Sequence, residues 1–253
     1  MQVTFLGSGT SQGVPVIGCQ CRVCRSLDYR NKRLRSSVHI LVDGKSFVID
    51  TGPDFRQQML REDIRHLNAV IFTHGHKDHT AGLDDVRAYN FLQQTDMPVY
   101  GSIDVLEQLK KEFAYVFASV KYPGIPQLRL HELNGENFMV EDVEFIPLPV
   151  MHLHMPVLGF RVGAFSYITD AKHIPDETLK KIKGSRVVVL NSLQKEPHIS
   201  HFNLDEAVNM AQVIGAEKTY FTHISHKLGL HDEIEKKLPD GIQLAYDGLK
   251  LTI

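Results

Sequence analysis

Apolar and polar positions along this 253-residue chain change places in short bursts, mostly with the period of two that strands require. QVTFL at the start is an apolar run that passes into GSGTSQG, so a strand followed by a glycine-rich loop is expected. Residues 38–42 and 46–49 are alternating β-branched runs joined by Asp43-Gly44, a pair that favours a tight hairpin turn. NAVIF, 68–72, and PVY, 98–100, read as further strands. Between them GLDDVRAYNFLQQ has helical spacing at Leu83, Val86 and Tyr89, and residues 103–118 form a more regular amphipathic helix.

The second half repeats the rhythm. FMVEDVEFIPLPV, 138–150, alternates strongly; GFRV and FSYITD form another hairpin-like pair; VVVLN, 187–191, is apolar throughout, as a buried strand is. In NLDEAVNMAQVIG the residues Leu204, Ala207, Val208, Ala211 and Ile214 share one helix face, with Asn203 as N-cap and Gly215 as the stop. KTYFTHISH follows. The pattern predicts an α/β fold with two sheets packed face to face and helices outside. No linker or low-complexity tract divides it, so residues 1–253 are expected to form a single domain.

Composition adds bounds. Hydrophobic residues at 43 % suffice for a sizeable core. With 28 basic and 30 acidic residues the formal charge is -2, which gives no global attraction to nucleic acid or to a membrane surface. No basic leader with an apolar stretch opens the chain, and no apolar run reaches the roughly 18 residues of a spanning helix, so a soluble cytoplasmic protein is expected. One local exception is the segment 22–35, where Arg22, Arg25, Arg30, Lys32, Arg33 and Arg35 stand against Asp28 alone. It reads as a solvated face, a guide for a small phosphate ester, or an RNA contact. Cys19, Cys21 and Cys24 are the only cysteines and lie within six positions, which speaks for a reduced metal cluster and against a disulfide framework.

The candidate chemistry gathers where apolar strands end. THGHKDH, 73–79, places His74, His76, Asp78 and His79 on one turn just after a buried run, more donors than one cation needs from one loop. His152 or His154 ends PLPVMHLH, Asp170 ends FSYITD and His223 ends KTYFTH. A carboxylate has two oxygens and offsets the repulsion between two cations, so Asp170 is the candidate bridge. Cys19, Cys21 and Cys24 offer three thiolates for a tetrahedral zinc, and His226 is the candidate fourth ligand. Asp50, which ends a strand in IDTG, reads either as an ordinary turn aspartate or as a partner for a ligand imidazole. The glycine-rich loop near Ser8 to Ser11 reads as a tight turn or as a source of hydrogen bonds to a ligand.

THGHKDH matches the HxHxDH motif of the metallo-β-lactamase fold. Together with GSGTSQGVPVIGCQCRVC, IDTGPDFRQQ, MHLHMPVLGF, YITDAKHI, EPHISHFNLDEA and THISHKLGLH, it makes nearly the whole chain resemble the PhnP-like phosphodiesterase branch, with tRNase Z more distantly similar. The resemblance implies a four-layer αββα sandwich of two mixed β-sheets flanked by helices. It puts His74, His76 and His152 on one divalent metal, Asp78, His79 and His223 on the other, and Asp170 between them. His152 is preferred to His154 for its spacing from PVLGF, which leaves His154 a supporting or substrate-facing place. Cys19, Cys21, Cys24 and His226 match a structural zinc site, and His201 matches a histidine near the scissile phosphate, suited to protonate the leaving oxygen. Asp78, Asp170 and His201 are thus the catalytic candidates.

The implied activity is hydrolysis of a small phosphodiester such as a cyclic ribose phosphate, a cyclic nucleotide or a short dinucleotide. Hydroxide formed from a water shared by two zinc or manganese ions would be the nucleophile. Hydrolysis of a thioester or another bond by the same fold is the alternative, as is an RNA-processing or RNA-binding role through the Arg-rich segment. Nothing resembles a long arm able to grasp folded tRNA, so nucleic acid is the less favoured partner, and a homodimer is compatible with the pattern.

Overall fold

Fourteen strands shape the computed structural model, which describes residues 1–120 and 122–253. In chain order they are β1 (Gln2–Gly7), β2 (Ser37–Val42), β3 (Lys45–Ile49), β4 (Ala69–Ile71), β5 (Met97–Gly101), β6 (Leu128–Glu132), β7 (Phe138–Val140), β8 (Val143–His152), β9 (Met155–Val162), β10 (Phe165–Tyr167), β11 (Val187–Asn191), β12 (Lys218–Thr222), β13 (Ile242–Leu244) and β14 (Lys250–Thr252). They form two seven-stranded sheets, ordered β14-β1-β2-β3-β4-β5-β6 and β13-β12-β11-β10-β9-β8-β7. Each sheet is mixed. Strands β3 to β6 run parallel in one, β10 to β13 in the other, and the remaining pairs are antiparallel.

Alternation along the strands sets the layers. In β3, Phe47 and Ile49 point between the sheets while Val48 faces the outer helices; in β11, Val189 points inward and Val188 and Leu190 outward. The inter-sheet core joins Val3, Phe5, Val38 and Ile40 to Phe145, Phe160, Phe165 and Tyr167, with Phe47 edge-on to Phe145 at a centroid distance of 5.3 Å. Helices Phe55–Arg61 and Ile103–Glu112 cover the first sheet, and helices Asp176–Ile182 and Leu204–Ile214 the second. This is the expected αββα sandwich. Removing one such buried ring typically costs about 3–5 kcal/mol, so the layers resist being pried apart.

Local signals hold in several places. The β2–β3 turn has Asp43 and Gly44 both left-handed, at φ 49° and 78°, as a two-residue hairpin of this hand requires. Asn203 accepts from the Glu206 amide at 2.9 Å while the Glu206 carboxylate accepts from the Asn203 amide, a complete capping box, and Gly215 closes the helix with φ 65°. Elsewhere the structure corrects the pattern. The helix expected over 103–118 ends at Glu112 and resumes only as a single turn, Ala114–Phe117, because Phe113 leaves helical angles. The run 138–150 is not one strand; it folds back at Glu141, φ 56°, into β7 and β8.

The basic segment is also corrected. Arg22 pairs with Glu233, Arg30 with Asp28 and Asp232, and Arg35 with Asp54, each within 2.7–3.0 Å. Arg33 is buried, donating to Ser8 Oγ at 2.7 Å and to the Ala245 carbonyl. Arg33 thus belongs to the interior and Arg30 and Arg35 are partly covered, while Arg22 and Arg25 remain exposed. Ser8, wholly buried and donating to Asp247 at 2.8 Å, is likewise structural and does not face an ester. Among the described residues no helix is long and apolar enough to cross a membrane.

Candidate metal centre

After β4 the chain leaves the sheet through Thr73, His74, Gly75 and His76, then turns into the single helical turn Lys77–Thr80 that carries Asp78 and His79. Two close approaches define that path. A Cβ on Gly52 would collide with the Asp78 backbone carbonyl, so glycine is needed there for space, whereas one on Gly75 would meet the movable end of the Gln108 side chain. The opposite sheet holds the loop too, since the Leu158 amide of β9 donates to the Thr73 carbonyl at 3.0 Å. Asp50 follows β3, His152 ends β8, Asp170 lies just beyond β10 and His223 follows β12. Asp50, Asp170 and His223 all have left-handed backbones, at φ 66°, 58° and 56°. Such angles cost a non-glycine residue roughly 1–3 kcal/mol, and their gathering at one place is the mark of a functional site.

Asp170 is the hub. Its Oδ1 is 3.4 Å from His79 Nε2, and its Oδ2 is 3.3 Å from His223 Nε2, 3.8 Å from His74 Nε2 and 3.9 Å from His201 Nδ1. Asp78 Oδ2 is 3.2 Å from His79 Nε2 and 3.6 Å from His223 Nε2. The His76 ring lies 4.7 Å from that of His74 and 5.2 Å from that of His152, which is 4.5 Å from His201. Donor atoms within 4.8 Å of one another fall into three groups: His74, His76 and Asp170; Asp78, His79 and His223; His152, Asp170 and His201. His152 therefore stands closest to Asp170 and His201, although its family counterpart would be grouped with His74 and His76.

Hydrogen bonds on the far side of each ring decide which nitrogen faces the cluster. Asp50, wholly buried, accepts from His79 Nδ1 at 2.7 Å and from the amide and hydroxyl of Thr73 at 2.9 and 2.8 Å. The Thr73 hydroxyl spends its proton on Asp50, so at 2.9 Å it accepts from His74 Nδ1. His152 Nδ1 donates to the Asp170 carbonyl at 3.0 Å. His74, His79 and His152 thus turn Nε2 towards the cluster, the nitrogen open to a cation once it carries no proton. His74 Nε2, His79 Nε2, both nitrogens of His223 and His201 Nδ1 are buried without a hydrogen-bond partner among the described residues. Leaving such atoms bare costs about 1–3 kcal/mol each, a cost that ligation removes. Imidazole and carboxylate donors in this ratio fit borderline divalent cations.

The electrostatics agree with that fit. Burial works against the charged forms of Asp78 and Asp170, but the surrounding imidazoles outweigh it and hold both carboxyls well below the usual range. Burial lowers His74 and His152, which keeps them neutral. For His79 the opposing burial is overcome by Asp170, Asp50 and Asp78, which raise it, so a proton competes with a cation for its Nε2 and metal binding there releases that proton. Burial and the charge of His223 push His201 down to about 3.

A second cluster lies to one side. His226 Nδ1 is 3.3, 3.4 and 3.5 Å from the sulfurs of Cys19, Cys21 and Cys24, and the Cys24 and Val16 amides point at Cys21 and Cys24 sulfurs at 3.4 Å. Four donors around one point, with amides directed at the sulfurs, fit a tetrahedral thiophilic cation. The Cys24 amide draws Cys21 down to about 6.

A sequence profile for the beta-lactamase superfamily domain matches residues 45–224. The crystal structure of a diphosphatase from the PhnP family shares 43 % identity and a TM-score of 0.93, covering 100 % of this chain and 97 % of that one. The chain belongs to the PhnP family of the beta-lactamase superfamily. The chain is also 41 % identical over 256 residues to a protein of Porphyromonas gingivalis (strain ATCC BAA-308 / W83) named octanoyltransferase. The match takes in 100 % of this chain but 52 % of that protein, so the chain spans about half the length of that relative. Human tRNase Z, short form, shares the fold at 18 % identity and a TM-score of 0.70, with 100 % and 99 % of the two chains covered.

The sequence pattern points to the candidate donors but not to everything that orients them. Thr73, which fixes the His74 tautomer, lies within THGHKDH, where a hydroxyl gives no sign of ligation. Thr169 donates to Asp170 Oδ1 at 2.5 Å, again one position from a ligand candidate. His154 sits exposed in the β8–β9 turn, outside the donor groups.

Proposed function

We propose that residues 1–253 form one dinuclear metal-dependent hydrolase unit that cleaves small phosphodiesters or diphosphates. The observation that carries this reading is the ring of bare, buried imidazole nitrogens around the two oxygens of Asp170. His74, His76 and His152 would hold one cation and Asp78, His79 and His223 the other, with Asp170 available to either; zinc and manganese both suit these donors. Cations held there would lower the pKa of a water that serves as nucleophile and would offset charge on the phosphoryl oxygens. Asp78 and Asp170, both ionised, keep that site near charge balance. Asp50 and Thr73 hold two imidazoles in the ligating tautomer, so turnover needs no reorganisation of the rings. His201 faces the leaving group. It is neutral in the free protein, and the negative charge of a bound ester raises its basicity so that it can carry a proton to the departing oxygen. Cys19, Cys21, Cys24 and His226 hold a structural zinc.

The PhnP-family relative named as a diphosphatase supports phosphorus chemistry and extends it from diesters to P–O–P linkages. A second reading is hydrolysis of an acyl ester or thioester, favoured by the Porphyromonas gingivalis relative's name although half of that protein lies outside the match. Burial of Arg33 and pairing of Arg30 and Arg35 count against the RNA reading, which would rest on the exposed Arg22 and Arg25. A kinetic screen of the protein reconstituted with defined metals separates these. Bis(p-nitrophenyl) phosphate, a dinucleotide diphosphate, a phosphomonoester, an octanoyl thioester and a single-stranded RNA are compared. Turnover of the first two supports the proposal; turnover of the thioester alone rejects it.

A further inference from the structure

Strand β11 is apolar except for its last residue, Asn191, whose side chain is wholly buried. A carboxamide shut away from water needs partners for its oxygen and its nitrogen. Asn191 finds both on one residue. The Ala171 amide donates to Asn191 Oδ1 at 2.6 Å and Asn191 Nδ2 donates to the Ala171 carbonyl at 3.0 Å, so only one orientation of the carboxamide satisfies both. Ala171 follows Asp170, at the point where the chain leaves the sheet. Pairing between β10 and β11 runs to Tyr167 and Val189, with one further bond from the Ile168 amide to the Val189 carbonyl at 3.0 Å. Asp170 then turns to φ 58°, an angle that a residue other than glycine avoids unless its surroundings hold it there. The Asn191 side chain is that hold, gripping both polar backbone groups of the next residue.

The same carbonyl carries a second bond. The Phe202 amide donates to it at 2.9 Å, and the Phe202 carbonyl accepts from the Leu193 amide at 3.0 Å. Phe202 directly follows His201, whose Nδ1 lies 3.9 Å from Asp170 Oδ2. Both lone pairs of the Ala171 carbonyl are thus taken, one by the carboxamide behind Asp170 and one by the loop that presents His201. On its other side Asn191 is in register with Thr222 of β12, and the Ser192 amide donates to the Thr222 carbonyl at 2.9 Å, one residue before His223. Asp170, His201 and His223 therefore meet around one buried amide that belongs to none of the donor groups.

We propose that Asn191 is a positioning residue: its carboxamide holds the Asp170 carboxylate at the centre of the donor cluster and keeps His201 in register with it. The inference rests on the hydrolase reading for what His201 does, and on the donor cluster alone for what Asp170 does. Without the carboxamide the backbone at 170 is released, the carboxylate leaves its place and the His201 loop loses the carbonyl that fixes it. Ions held by the histidines are then bound more weakly while the cysteine-bound ion is untouched, and turnover falls most for leaving groups that need a proton.

Asn191→Leu keeps the size of the side chain and removes both hydrogen bonds; Asn191→Ser, where water can fill the space, serves if the leucine variant does not fold. Val188→Ala, which opens a cavity on the same strand without removing a hydrogen bond at residue 171, is the control for lost stability. Chelator competition for zinc on the purified chain should show the histidine-held ions about 10- to 100-fold weaker in Asn191→Leu, about tenfold weaker in Asn191→Ser and less than about twofold weaker in Val188→Ala. In parallel, bis(p-nitrophenyl) phosphate, whose leaving group departs without a proton, is compared with a thymidine dinucleotide, whose alkoxide needs one. The kcat for the dinucleotide should fall about tenfold further in the Asn191 variants, and by the same factor as the other in Val188→Ala. Ion affinity in the Asn191 variants equal to that in Val188→Ala overturns the hold on Asp170, and an equal loss on the two substrates overturns the register of His201. If the unaltered protein hydrolyses neither substrate and Asn191→Leu still loses ion affinity, the hydrolase reading falls and the hold on Asp170 stands; if it hydrolyses both and the Asn191 variants keep its ion affinity, the positioning role falls alone.

Discussion

The Asp50 carboxylate accepts the Nδ1 proton of His79 at 2.7 Å, and neither side chain touches solvent. That one hydrogen bond selects the tautomer in which Nε2 looks at Asp78 and Asp170. Replacing Asp50 by Asn puts an amide where three donors converge and removes the charge that supports the imidazole. Asp50→Asn is expected to weaken metal binding and lower kcat/KM by about 10- to 100-fold, with secondary structure retained. Chelator competition beside circular dichroism measures both; unchanged metal affinity would remove Asp50 from the account.

Gly52 makes a separate test of how the loop is held. Gly52→Ala pushes a methyl group into the Asp78 backbone carbonyl and displaces the turn bearing Asp78 and His79, so metal occupancy should fall. At Gly75 the added methyl meets only the movable end of the Gln108 side chain, so Gly75→Ala should lose much less metal. Metal content of the two variants decides the matter, and equal losses in both would show that the glycine at 52 serves some other need.

At the cysteine cluster, Cys21→Ser should release one zinc and leave the other two ions bound. Structural zinc contributes directly to folding, so a loss of about 3 kcal/mol, or roughly 10 °C in Tm, is expected. Elemental analysis with calorimetry checks it, and full zinc content in the variant would abolish the third site.

Stability should also depend on pH through His39, a site far from the metals. Burial lowers this histidine from 6.5 to about 4, and its Nε2 pairs with Ser46 Oγ at 2.8 Å. Between those two values the unfolded chain takes up a proton that the folded chain refuses, so stability rises with pH across that window and is lost as pH falls through it. The full span amounts to about 3 kcal/mol. In His39→Gln the urea midpoint should vary less between the two ends of the window, and an identical slope in both proteins would exclude His39 as the cause.

Much of this centre was legible because each donor directly follows an apolar strand, and strands that alternate cleanly announce where they end. His74, His76, Asp78, His79, Asp170 and His223 all carried that mark. What stayed hidden depended on distance along the chain or on brevity. The partners of Arg35, Arg30 and Arg22 lie 19, 202 and 211 positions away, so the basic segment looked unpaired until the fold brought Asp54, Asp232 and Glu233 to it. Helix Phe55–Arg61 and strands β13 and β14 are too short to print a period. Phe113 interrupts a helix whose spacing continues beyond it, because packing rather than pattern decides its angles.

The most direct test of the paired-ion centre is metal counting on Asp170→Ala beside the unaltered protein, with Asp78→Ala and His79→Ala as companions. The account predicts that each variant stays folded, keeps the cysteine-bound ion, loses one or both of the others and has no measurable turnover. Full metal content together with surviving hydrolysis in Asp170→Ala would contradict it.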